Sequence, residues 1–118
     1  MSEELVKCFL AGVDLAMGLH TTITALELAA EARTKDGLFS LMNSAKEELN
    51  SASKALDDSK DCVADFKLVE INLNKALSLL EQPTKTTPKE IKASVSQALH
   101  HLDWARHEIR QRRDVEMV

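Results

Sequence analysis

Four side chains suited to metal chemistry fall near the middle of helix-periodic stretches: His20, Glu48, Glu70 and His101. Two imidazoles and two carboxylates gathered at one level of a helical bundle would suit zinc, iron or manganese. Glu27 and Glu31 follow His20 on nearly the same side and could serve instead. The same positions also suit boundary residues whose charged ends reach water, or a salt-bridged layer that fixes helix register. A second group, His100, Asp103 and His107, is spaced by three and four residues and so shares one helix face. That face lies opposite the apolar stripe of its segment, so it reads as a solvated surface with a local Asp–His pair. Trp104 also points away from that stripe, and an outward Trp on a helix is a partner-contact candidate.

Other chemistry lacks its residues. Three glycines cannot build a nucleotide-binding loop, and the sequence has no GxSxG or HExxH. The paired Glu-x-x-His signature of di-iron bundles is also missing. The residues therefore predict a protein that is not an enzyme and carries no cofactor. Cys8 and Cys62 are far apart and form no CxxC. They read as two small buried hydrophobes, because Cys62 is expected to open the third helix and the first and third helices of a simple bundle are diagonal. Without a disulfide framework, a reducing cytoplasm is the expected location.

Composition narrows the class of fold that must position these residues. The 118 residues are 44% hydrophobic and 29% charged, a folded rather than disordered profile and enough for one domain spanning 1–118. Only three Gly and two Pro argue against a loop-rich or all-β fold. A net charge of -4 with 3% aromatics disfavours nucleic acid as a partner. Residues 83–118 alone carry a basic excess, seven Lys and Arg against five Asp and Glu, interleaved as on a salt-bridged helix surface. The N-terminus is acidic where a secretory signal is basic, and no segment reaches the roughly 20 apolar residues of a membrane span. No membrane partner is expected.

Helical spacing accounts for the whole chain, and no stretch has the period of two that strands need. Helix 1, about 3–34, has a stripe of Leu5, Phe9, Gly12, Ala16, Leu19, Ile23, Leu26 and Ala30. A second stripe of Val6, Leu10, Val13, Met17 and Leu28 lies roughly a third of a turn away. Gly37 is expected to end this helix and Asp36 to cap the next. Leu38, Met42, Ala45, Leu49, Ala52 and Leu56 form the stripe of helix 2. Asp57–Asp61 then offers a turn, with Asp58 or Ser59 capping helix 3. The heptad, however, runs on without interruption through Ser59, Val63, Phe66, Glu70, Leu73, Leu77 and Leu80, which also suits one helix over 38–82 and three helices in all. Pro83–Pro88 is a loop, with Thr87 as N-cap, Pro88 at the first helical position and Glu90 completing a capping box. Helix 4, about 88–114, presents Ile91, Val95, Ala98, Leu102, Ala105 and Ile109.

The favoured architecture is an all-α antiparallel four-helix bundle. Helix 1, apolar on two sides, must be buried deeply or help to form an interface. The expected function is protein–protein interaction or self-association, such as a homodimer, with Val6, Leu10, Val13, Met17 and Trp104 as contact residues. The alternative function is the metal site described above.

Overall fold

The computed structural model describes residues 2–82 and 87–116. Four α-helices follow one another: α1 (Glu3–Ala30), α2 (Lys35–Asp57), α3 (Asp65–Leu80) and α4 (Pro88–Glu116). α1 packs on α2 and α4, α3 packs on α4 and, less extensively, on α2, and the two remaining pairs are diagonal. Short connections between neighbouring helices reverse the chain, giving an up-down bundle 56 × 19 × 19 Å in extent. This is the four-helix architecture expected from periodicity, and the three-helix alternative is excluded.

The helix starts follow from side chains that satisfy otherwise orphaned N–H groups. The Leu5 N–H donates to Ser2 Oγ at 3.2 Å, with Glu3 and Glu4 favourable in the first turn. α1 stops at Ala30, earlier than the periodicity predicts, and Thr34 rather than Asp36 caps α2. The Gly37 N–H donates to Thr34 Oγ1 at 3.0 Å. Gly37 therefore lies inside the first turn of α2 rather than ending α1. A Cβ there would sit 2.9 Å from Thr34 Oγ1, so glycine leaves room for the cap. Thr34→Ala is expected to lower stability by about 1 kcal/mol, read from urea denaturation. At α4 the Glu90 N–H donates to Thr87 Oγ1 at 3.4 Å and Pro88 is the first helical residue, as the sequence predicts. The Pro83–Thr86 part of the expected loop lies outside the described residues.

The break between α2 and α3 is longer than the sequence suggests. Neither Asp58 nor Ser59 caps α3, which begins at Asp65 without a side-chain cap. Ser59 is buried, and its hydroxyl donates back to the Ala55 carbonyl at 3.3 Å, so it belongs to the end of α2. Backbone bonds Ser59 N–H to Leu56 O and Cys62 N–H to Ser59 O close the turn at 2.9 and 3.0 Å. Leu56, Ser59, Val63 and Phe66 are all buried, so the apolar phase continues through a chain reversal.

The core runs along the bundle axis. In α4 all six expected residues, Ile91 through Ile109, are buried, and in α2 so are Met42, Ala45, Leu49, Ala52 and Leu56, with Leu38 exposed at the helix start. In α3 the inward line is Phe66, Val69, Leu73, Ala76 and Leu80. Val69 and Ala76 take the places that a strict heptad would assign to Glu70 and Leu77. α1 differs most. Its inward line is Leu5, Cys8, Leu15, Leu19, Thr22, Leu26 and Ala29, while Phe9 and Ile23 are only half-buried and Ala30 is exposed. Thr22 is tolerated in this line because its hydroxyl donates to the Gly18 carbonyl at 2.8 Å.

By length and composition α1 is apolar enough to cross a membrane, contrary to the reading that no segment reaches that threshold. The reason is its two apolar sides, which leave few positions for charge. A window of this kind also describes a core helix, and 44% of it is buried within the bundle.

Candidate functional site

Cys8 and Cys62 form a disulfide with Cα atoms 6.0 Å apart, which corrects their reading as separate buried hydrophobes. They do lie at the same end of the bundle, and α1 and α3 are diagonal, as expected. Cys62, however, is not on α3. It belongs to the 58–64 connection, which crosses the end of the bundle and carries its sulfur to α1. Arg112 of α4 donates to the Cys62 carbonyl at 2.7 Å and to Glu108 Oε1 at 3.2 Å. One end of the molecule thus ties together α1, the α2–α3 connection and α4. At the other end Lys92 of α4 pairs with Glu27 of α1 at 3.0 Å.

The four candidate ligands of the alternative metal-site reading do not form a ligand group. His20 is exposed, and Glu48, Glu70 and His101 are half-buried at the margins of their helices. Among the described residues, no three His, Cys, Asp or Glu side chains come close enough together to hold a metal ion. Among the described residues the buried polar ones are Thr22, Ser59 and Ser94, so no charged layer crosses the core they form. The physical reason lies in the phase of α1 and α3. Leu15, Leu19 and Thr22 take the inward line of α1, which turns His20 outward, and Val69 takes the position that Glu70 would need. Glu27 is committed to Lys92, and Glu31 is exposed beyond the end of α1.

What the helices do assemble is an apolar surface. Leu10 is 55% exposed, Met17 65% and Leu28 51%, with Val6 and Val13 half-buried beside them. This line lies about half a turn from the inward line of α1, farther round than the sequence spacing suggests. Two depressions flank it. One of about 540 Å³ is lined by Glu3, Glu4, Val6, Lys7 and Leu10. Another of about 420 Å³ is lined by Val13, Ala16, Met17, His20, Thr21 and Arg106 of α4. Arg106 lies across Gly12, where an added Cβ would come within 3.1 Å of its Cγ. Gly12 therefore marks a close approach of α1 and α4.

On α4, Trp104 is 56% exposed and meets His107 edge to face at 6.3 Å between ring centroids. His100, Asp103 and His107 are exposed around it, as the helical spacing predicts. Leu68 and Ile71 of α3 are exposed as well. Lys7 and Asp14, which are not among the expected contact residues, border the outer line of α1 one heptad apart and are both exposed. Their signal was a pair of opposite charges at equal offsets from two outer apolar residues.

Fold and surface together define an all-α four-helix bundle, stapled at one end and apolar on the outside of its first helix. No family model, curated protein or solved structure matches the chain.

Proposed function

We propose that this protein is a non-enzymatic interaction module that binds a protein, or a copy of itself, through the outer face of α1, with Trp104 as a second contact. The observation that carries this reading is the exposed line Leu10, Met17 and Leu28 on the side of α1 opposite the core. A helix needs one apolar stripe to pack into its own bundle, and a second exposed one marks an interaction surface. Exposed aromatic and Met side chains are favoured in such contacts. The disulfide bears on where the module works. Structural disulfides persist in oxidising compartments and are rare in the cytoplasm, so Cys8–Cys62 favours the former over the cytoplasm suggested by cysteine spacing alone.

The test is in-cell photo-cross-linking with a photoreactive amino acid at Met17, at Trp104 or, as a control, at the exposed polar position Lys60. Covalent adducts of higher mass are expected from Met17 and Trp104 and not from Lys60. Absence of adducts from both apolar positions, with the protein expressed and folded, would remove the basis of this reading.

A further inference from the structure

Resting on that interaction reading, we infer that the partner at the α1 face is a second copy of this chain, docked antiparallel about a two-fold axis between Ala11 and Gly12. The outer line of α1, Glu3, Val6, Leu10, Val13, Met17 and His20, follows alternating steps of three and four, the spacing of a coiled-coil seam. A two-fold contact is self-complementary, so a residue on one copy must meet its reversed counterpart on the other. Reversal about the centre between residues 11 and 12 sets Leu10 against the partner's Val13. It also sets Val6 against the partner's Met17, and each pair occurs twice.

The charges bordering the seam fit the same register. Glu3 falls opposite the partner's His20, so the apolar layers are closed at both ends by groups that can hydrogen-bond. Lys7 and Asp14 lie on the same edge of the seam, one residue beyond Val6 and Val13. In the antiparallel register Lys7 lies between the same two layers as the partner's Asp14, giving two opposite-charge contacts by symmetry. Within one protomer neither Lys7 nor Asp14 has an ion-pair partner among the described residues. The two depressions on this face point the same way: Val6 and Leu10 line one, Met17 and Val13 the other, and the register brings those sets together. A parallel pairing would instead place Lys7 beside the partner's Lys7 level and leave Glu3 facing Glu3. A lipid surface fits less well, because the seam's edge carries Lys7 and Asp14 in balance and its end carries acidic Glu3, where membrane-surface helices carry an excess of Lys and Arg.

Sedimentation of the full disulfide-bonded chain over a concentration series tests this. A reversible dimer is expected, weakened about a hundredfold or more by Leu10→Glu. Lys7→Asp and Asp14→Lys are each expected to weaken it about tenfold by placing like charges in contact. The double swap Lys7→Asp with Asp14→Lys is expected to restore affinity to within about threefold of the natural chain. All three positions are on the outer side of α1, and helical circular dichroism checks that each variant folds. The pair Lys7→Glu and Asp14→Arg repeats the swap should either single variant fail to fold. A monomer at every concentration, a dimer indifferent to Leu10→Glu, or a double swap no better than the single ones would overturn the proposal. If the chain is monomeric yet still cross-links to other proteins through Met17, the two-fold docking fails and the interaction reading stands; loss of all adducts removes both.

Discussion

Opening the Cys8–Cys62 disulfide is expected to lower stability by about 4 kcal/mol. The bond spans 54 residues of sequence, and closing a loop of that length in the unfolded chain removes entropy worth about 4 kcal/mol in the chain-entropy account. The folded state gives the bond little else to do, since α1 and the connection it joins are already held by packing, with Ser59 and Val63 of the connection buried. Its effect therefore falls chiefly on the unfolded ensemble. Urea denaturation with and without reductant, and of the Cys8→Ser, Cys62→Ser double variant, measures it. The midpoint should fall by roughly 2 M, given the usual slopes for a domain of this size. The reduced and doubly substituted proteins should agree with each other and keep their helical signal without denaturant. An unchanged midpoint would show that the bond constrains nothing the fold does not already fix. Arg112 gives a reason to expect some retained order at this end, because its bond to the Cys62 carbonyl does not involve sulfur.

The helical architecture was legible because its signals are local and redundant. Ile91, Val95, Ala98, Leu102, Ala105 and Ile109 sit on one stripe amid charge, and Thr87-Pro88 with Glu90 announces their helix. The connection between α2 and α3 was harder to read, since the chain reverses while the burial phase of Leu56, Ser59, Val63 and Phe66 continues. Periodicity alone cannot distinguish that from a straight helix. Placing Cys62 at the start of α3 then made the disulfide look geometrically excluded. Three more residues of connection, ending at Ala64, were enough to bring its sulfur to Cys8.

The metal-site candidates illustrate a different limit. Proximity in a bundle depends on helix rotation as well as level, and a rotation of one residue, about 100°, takes a mid-helix side chain from the core to water. His20 and Glu70 were at suitable levels, but Leu19 and Val69 beside them are the residues that face inward. The rotation of α1 was hidden by its composition. When apolar residues cover most of a helix, its sequence leaves open which side packs inward, and only the neighbouring helices decide.

That decision can be measured with two leucines of α1 placed five residues apart. Leu15 is fully buried, whereas Leu10 is 55% exposed, although neither chemistry nor helix propensity distinguishes them. Leu15→Ala is expected to cost about 3 kcal/mol, the lost transfer free energy together with the cavity left among packed neighbours. Leu10→Ala is expected to change the stability of the protomer by less than about 0.5 kcal/mol, because its side chain already meets solvent. Both substitutions keep a good helix former in mid-helix, so propensity contributes little to the contrast. Denaturation at low protein concentration, where any self-association is dissociated, isolates the protomer. Repeating it at high concentration should bring out a cost for Leu10→Ala, since mass action adds the free energy of association to the stability of the natural chain. A large cost for Leu10→Ala in the dilute protomer, with none for Leu15→Ala, would mean that α1 is rotated by about half a turn. The face assigned to partners would then be the core.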